Sequence, residues 1–334
     1  MRFFDHIVVG HGLAGLALEF ELTRRGHHVL VIDAEDASAS SRVAAGLVTP
    51  ITGKRFTVLP DYDRLFDEAS QFYESLGSPL LRRPALRLFV DAEERARFVA
   101  RRASLATHLA ADDEAHALAR DHGWLDEHGG CLMPYAARLE IRKASALRRA
   151  ALGSRYLNAR VDVAALTCRD SAVQIDALDV AARHLSFCDG ALGRGNPWLG
   201  DLRFTPAKGE ILVVDFDAAD IDVTLHARGL WLTRDDTPTT YRLGATFEPE
   251  VLDTQPTNAA RTAMVDAMQS VVGRAFVVRE HHAALRPILV NRRPAAGLLA
   301  AQPRIGWING LGARGALLAP NMARQYCDAI EARP

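Results

Sequence analysis

The segment Asp5–Asp33, DHIVVGHGLAGLALEFELTRRGHHVLVID, limits what this chain can fold into more than any other. Ile7–Val9 is a short apolar, β-branched run of the kind buried on both faces of a parallel sheet. Gly10, Gly12 and Gly15 follow as G-x-G-x-x-G. From Leu13 an apolar stripe at Leu16, Ala17, Phe20 and Leu22 recurs at helical spacing, and Gly26 supplies a C-cap. VLVID is a second buried strand, ending on Asp33. Strand, tight turn, helix and strand with an acid at its end together predict a dinucleotide site. Gly10 permits the turn, Gly12 lets backbone approach a pyrophosphate, and Gly15 lets the helix close on the sheet. The helix N-terminus, at Leu13 and Ala14, presents unpaired N–H groups and a positive dipole end to the diphosphate. Asp33, with Ala34 beside it, is placed to accept from a ribose hydroxyl, and its carboxylate would repel a 2′-phosphate.

The chain does not go on as a six-stranded nucleotide fold. A polar, small-residue stretch is followed by AAGLVTPITGKRF, and helical spacing returns at DYDRLFDEASQFYESLG, AEERARFVARRASLA and RLEIRKASALRRAAL. RYLNARVDVAALTC and AVQIDAL alternate as an antiparallel hairpin would. HLSFCDGALG reads as a strand running into a glycine turn. GEILVVDF, GLWLTRDDTPTTYRLGATF and AFVVREHHAALRP read as sheet segments, with the helix TNAARTAMVDAMQSVVG before the last of them. A length of 334 residues exceeds what one hydrophobic core usually serves. The expected fold is therefore α/β (α+β overall): a Rossmann-like unit interrupted by a mainly antiparallel sheet and resumed at the end.

Several classes are disfavoured. The formal net charge is -1, so no bulk pull towards nucleic acid or anionic lipid is expected. Cys131, Cys168, Cys188 and Cys327 are scattered, with neither disulfide nor zinc spacing. Asp5, Glu19 and Glu21 interrupt the apolar amino-terminal region, which does not read as a secretion signal. No apolar stretch is long enough to span a bilayer, and the expectation is a cytoplasmic protein.

A second glycine turn, NGLGARGALLAPNM (Asn309–Met322), precedes the final helix. NAD does not require it, whereas FAD does. FAD lies extended, so its diphosphate and its ring system need separate backbone cradles. The second turn would set N–H groups and a helix N-terminus against the pyrimidine edge of the flavin, where reduction builds negative charge.

With these features the sequence resembles the D-amino acid oxidase superfamily of FAD-dependent oxidoreductases over nearly its whole length. It is most similar to glycine oxidase-like enzymes and to the oxidase domain of the bifunctional tRNA 5-methylaminomethyl-2-thiouridine biosynthesis protein. The likeness is carried by GHGLAG with Asp33, SSRVAAGLVTP, FCDGALG, PAKGEILVV, YRLGATFE, LRP and NGLGARGALLAP. It implies that Ser41, Arg42, Ala44, Ala45, Gly46 and Leu47 line the diphosphate and the flavin face. Val161 matches the residue whose backbone pairs with adenine, and Gly190 and Ala191 match the turn near the diphosphate. Gly310, Gly312, Ala313, Arg314 and Gly315 match the loop at the pyrimidine edge. No cysteine matches a position of covalent attachment, so noncovalent FAD is implied. The resemblance divides the chain into an FAD-binding domain (residues 1–77, 138–200 and 273–334) and a substrate domain (78–137 and 201–272).

The resemblance also implies the chemistry: a hydride leaves the carbon beside a neutral amine for flavin N5, the imine hydrolyses, and dioxygen or another acceptor reoxidises the flavin. Arg286 stands where the family places an arginine fork for a substrate carboxylate. Arg314 is a candidate for flavin, substrate or backbone contact. Trp231 falls where relatives carry a tyrosine over the substrate. Tyr241 is a candidate for the missing phenol, although a core or cross-strand role is the favoured reading. His281 and His282 should point to opposite faces of one strand, without metal-ligand company. Two other functions stay open: oxidation of a carboxymethylaminomethyl-modified tRNA wobble uridine, and a non-catalytic flavin subunit of a dehydrogenase complex. A nicotinamide dehydrogenase is third.

Overall fold

A computed structural model of the protein describes residues 1–169, 171–216, 221–235 and 237–332. The elements that place the site are, in chain order, β1 (Arg2–Val9), α1 (Leu13–Arg24), β2 (Val29–Asp33), α2 (Tyr62–Ser75), β3 (Ala85–Leu88), β4 (Gly130–Met133), α3 (Ile141–Leu152), β5 (Tyr156–Asn158) and β6 (Val180–Phe187). They continue with β7 (Ala207–Phe216), β8 (Thr224–Ala227), β9 (Leu230–Arg234), β10 (Thr240–Gly244), α4 (Asn258–Val272), β11 (Phe276–Arg286), β12 (Ala295–Leu298), β13 (Ile305–Asn309) and α5 (Gly315–Glu331).

The first sheet has the parallel core β5-β2-β1-β6-β13. Both faces of this core are covered, which is why its strands are continuously apolar. Val8, Val29 and Val31 pack into one cluster with α1, α2, α3 and α5. Ile7, Leu30, Ile32 and Leu185 pack into another on the opposite face. Each such fully buried branched side chain contributes about 1.5–3 kcal/mol relative to exposure. Trp198 and Trp307 pack against the second cluster.

The second sheet runs β11-β7-β10-β9-β8-β3-β4 and is antiparallel except between β8 and β3. Strand alternation gives it two unlike faces. Leu212, Val214, Leu232, Tyr241 and Leu243 face α4, meeting Met264, Met268 and Val272. Ile211, Trp231 and Ala284 face the first sheet's loops, meeting Val43. Helix α4 begins on Thr257, whose side chain accepts from the Ala260 N–H, and ends on left-handed Gly273.

Two local expectations differ. The hairpin is confined to Thr167–Cys168 and Val173–Ile175, while Tyr156–Asn158 extends the parallel sheet beside β2. Residues 276–286, grouped above with the FAD-binding part, run as β11 along β7 in the second sheet. No helix among the described residues is long and apolar enough to cross a membrane.

Candidate cofactor and substrate site

Three turns meet at the carboxyl ends of adjacent parallel strands, after β1, β6 and β13. Such strand ends are where open α/β sheets bind ligands. Gly10 turns at φ +93°, in the left-handed region, with its Cα against the Cys188 carbonyl. A Cβ on Gly15 would overlap the Gly10 carbonyl oxygen, so this helix closes on the turn only through glycine. The Asn309 amide donates to Asp189 Oδ1 (3.2 Å) and to the Gly190 carbonyl (2.9 Å), while its oxygen accepts from the Gly310 N–H (2.8 Å). Asp189 also accepts from Asn196 (3.0 Å), and burial pushes its carboxyl up to about 6. Gly315 lies against Leu13, so the helices α1 and α5 begin side by side.

At the diphosphate end, Gly12 is the N-cap of α1 with no side-chain cap, and the first turn has no acid. The Leu13 N–H donates to Ser41 Oγ at 3.0 Å, so it points out of the helix towards the Ser41–Arg42 turn. Arg42 is exposed. Asp33 accepts from the His11 N–H (2.8 Å) and the Glu35 N–H (2.7 Å), and its oxygens keep lone pairs for hydroxyl donors. Ala159, two residues before Val161, donates its N–H to the Asp33 carbonyl (3.1 Å), which brings Val161 to the same strand end. Ala34 directly follows the end of β2.

The segment Val43–Leu47 crosses from this turn to the second sheet. Val43 is buried with Ile211 and Ala284, and Leu47 pairs with Arg138. Three buried charges hold it. Arg242 donates from Nη1 to the Val43 carbonyl (2.6 Å) and Arg138 from Nε to the Ala45 carbonyl (3.0 Å). Both guanidinium groups donate to Asp235, Arg138 to Oδ1 at 2.6 Å and Arg242 to Oδ2 at 3.0 Å, and Arg142 shares Oδ2 at 2.6 Å. Burial pushes the Asp235 carboxyl up, but the arginines outweigh it and hold it below the usual carboxylate range.

At the substrate end, Arg286 closes β11. It donates to the carbonyls of Lys208 (3.1 Å) and Thr246 (2.8 Å), and its guanidinium carbon is 5.6 Å from the Phe247 ring centre. Gly209 lies beneath it, where any Cβ would overlap the guanidinium. Among the described residues Arg286 has carbonyl partners and no carboxylate partner. Burial lowers its pKa, yet arginine stays charged at neutral pH. The next residue, Pro287, accepts the Gly312 N–H at 3.0 Å, tying this strand end to the second glycine turn. Ala313 and Arg314 are exposed, and Arg314 reaches Thr52 Oγ1 at 3.3 Å. Trp231 is half-buried on the same sheet face, its ring on Gly244.

Tyr241 is corrected. It is fully buried on the α4 face, its hydroxyl accepting from the Ile221 N–H at 3.1 Å and its ring edge-on to Phe216. It is a core residue. Tyr241→Phe is expected to leave substrate kinetics unchanged and to cost about 1–3 kcal/mol of stability, because the Ile221 N–H loses its acceptor. Chemical denaturation and steady-state assays check both parts. The histidines do face opposite ways, His281 onto Glu210 (2.7 Å) and His282 onto Glu280 (2.6 Å). Sequence reasoning missed Arg138, Asp235 and Arg242. The alternation in YRLG carried one signal: Tyr241 and Leu243 face the core, so Arg242 and Gly244 face the site.

A nucleotide-type parallel sheet, with glycine turns at both ends of the chain and an antiparallel cover sheet, defines a two-part dinucleotide flavoprotein. The family profile described as DAO, FAD dependent oxidoreductase, matches residues 5–329, and the chain belongs to that family. It is FAD-dependent, and the residues fit that cofactor: the uncapped α1 start, the glycine turns and the Asp33 acceptor lie along one row of strand ends. Glycine oxidase from Geobacillus kaustophilus has the same fold, with a TM-score of 0.83 at 18% identity over 100% of this chain and 96% of that one. Iminodiacetate oxidase from Chelativorans sp. BNC1 gives 0.77 at 21% identity over 98% and 96%. L-proline dehydrogenase from P.horikoshii gives 0.81 at 14% identity over 98% and 93%.

Proposed function

We propose that this protein oxidises the C–N bond of a small amine that carries a carboxylate, an amino acid or an N-substituted glycine. In this reading Gly10–Gly15 hold the FAD diphosphate and Gly310–Gly315 face the flavin's pyrimidine edge. Bound FAD supplies a two-electron acceptor for hydride. The observation that carries the reading is Arg286: a partly buried guanidinium on a glycine shelf, held by carbonyls, one residue from the strand end that binds Gly312. Carbonyl partners fix its plane and leave its charge to an anion, which a carboxylate matches with two parallel hydrogen bonds. Trp231 and Phe247 supply apolar walls that keep water from the amine, and an electron acceptor then reoxidises the cofactor. The solved structures of similar fold named for glycine, iminodiacetate and L-proline all concern amines with a carboxylate.

The test is anaerobic. The purified yellow protein is mixed with glycine, sarcosine, iminodiacetate, D-alanine, D-proline or L-proline, and at least one of these is expected to bleach the flavin. A protein that stays yellow with all of them overturns the small-amine reading.

One feature favours a second reading, oxidation of a carboxymethylaminomethyl group on tRNA. Arg194, Arg203, Arg292 and Arg293 are exposed and make no ion pair among the described residues. They lie around the second glycine turn: the Val290 N–H donates to the Arg203 carbonyl (2.9 Å), and the Arg293 carbonyl borders Gly310. Retention of tRNA at about 0.15 M salt, with a steep loss as salt rises, would select it.

A further inference from the structure

We propose that Asp235, Arg138 and Arg242 form a clamp that sets the position of the flavin-lining segment and locks it to the cover sheet, so that Arg242 is a positioning residue for the cofactor. This rests on the reading of Ser41–Leu47 as flavin-lining.

Three observations carry it. First, the arginines act on backbone at a regular spacing. Val43 and Ala45 flank Ala44, and each gives its carbonyl to a different guanidinium, at 2.6 Å and 3.0 Å. A peptide unit is planar, so holding the Ala45 carbonyl also aims the Gly46 N–H, while the Ala44 N–H donates to the Ser40 carbonyl at 2.9 Å. The segment leaves a single helical turn, Ser40–Val43, by becoming extended at Ala44 (φ -61°, ψ 149°), and beyond Ala44 that turn no longer fixes the backbone.

Second, the clamp is dry. The side chains of Arg138, Asp235 and Arg242 are only 2–4% exposed. Charge-assisted hydrogen bonds in such surroundings are short, directional and stiff. They are also not a cheap way to hold a fold together, since apolar residues of equal volume commonly stabilise as well or better. Apolar side chains could fill this space but could not orient two carbonyls.

Third, the clamp joins elements that must move together. Arg138 lies on the strand paired with Leu47, Asp235 directly follows β9, and Arg242 lies on β10. Arg242 is two residues from Gly244, on which the Trp231 ring rests, and both face the site. A shift of Arg242 would therefore displace the flavin-lining backbone and the tryptophan wall together.

Arg242→Lys tests this. Lysine keeps the charge but lacks the planar fork, so it cannot hold Asp235 and the Val43 carbonyl in the arrangement that the guanidinium fixes. Asp235→Asn loosens both arginines without removing either. Each variant is prepared with excess FAD and compared with wild type by flavin fluorescence titration, by visible spectrum, by reduction kinetics and by melting of the apoprotein. The reductant is whichever of glycine, sarcosine and iminodiacetate bleaches the wild type. The expected result is a dissociation constant for FAD raised at least about tenfold, equivalent to about 1.4 kcal/mol. Shifted flavin bands and a reduction rate at least tenfold slower should accompany it, with KM changed less than about threefold.

Wild-type affinity, bands and reduction rate in both variants would overturn the clamp. So would an FAD loss that only tracks a loss of folded apoprotein. Ala44→Leu separates the two levels of the argument, since it perturbs a flavin-lining residue without touching the clamp. If Ala44→Leu shifts the flavin bands and Arg242→Lys does not, the clamp is wrong. If Ala44→Leu leaves the bands unaltered, the flavin-lining reading fails, and the proposal with it.

Discussion

Arg286→Ala is expected to lower kcat/KM for carboxylate-bearing amines roughly 30- to 5000-fold while the flavin content of the purified protein stays at the wild-type level. The range follows from the cost of removing one partner of a desolvated, hydrogen-bonded charge pair, about 2–5 kcal/mol. The split between substrate and cofactor is the diagnostic part. Arg286 touches the carbonyls of Lys208 and Thr246 and lies over Gly209, all in the cover sheet and its loops. Its removal therefore leaves the strand ends that carry the nucleotide turn intact. Comparing sarcosine with dimethylamine, which lacks only the carboxylate, isolates the effect: the first should fall steeply and the second should be indifferent. Arg286→Lys should sit between, because an ammonium keeps the charge and loses the fork. Parallel loss of flavin and activity would make Arg286 a fold element and remove the main support for a carboxylate substrate.

Gly15→Ala should give protein that purifies without flavin. The added methyl meets the Gly10 carbonyl oxygen, and neither partner is the flexible end of a side chain. Either α1 retreats from the sheet or the turn opens, and both displace the start of α1, with its Leu13 N–H contact to Ser41 Oγ, from the row of strand ends. Overpacking of this kind typically costs about 1–3 kcal/mol, so folded apoprotein should survive without retaining FAD. Gly195→Ala is the matched control. It lies in the Gly190–Gly195 turn, a Cβ there meets nothing within 4 Å, and flavin content should be unchanged. Absorbance of the purified proteins, before and after adding FAD, decides the comparison.

What could be read in advance from the chain follows from how local each signal is. The Gly10–Asp33 unit was legible because strand, turn, helix and acid lie within thirty residues, and each restricts the next. The same holds for Asn309–Gly315, whose turn and helix are contiguous. Strand β11 could be recognised as a strand but not assigned to a sheet, because its partner β7 lies about seventy residues away and nothing in AFVVREHHAALR names it. Tyr241 was misplaced for a different reason. A phenol is a plausible substrate contact by chemistry, whereas its direction is set by alternation, and the alternation that buries Tyr241 and Leu243 turns Arg242 towards Val43. The Asp235 clamp was beyond reach. Arg138 and Asp235 lie 97 residues apart, in elements that meet only after the chain has returned, and an aspartate in TRDDTP resembles any solvated turn.

The order β2-β1-β6-β13 has a consequence for how the molecule comes into being. Segments made early, midway and later in synthesis lie side by side at the centre of one sheet. The apolar flank of α1 that α5 covers thus stays open to water while the chain grows, and the row of turns beneath the coenzyme gains its third member only with residues near 315. Pairings so distant in sequence are slow to form, since a long loop must close before any contact repays it. A row that needs all three turns is therefore complete only once the Ile305–Asn309 strand has paired.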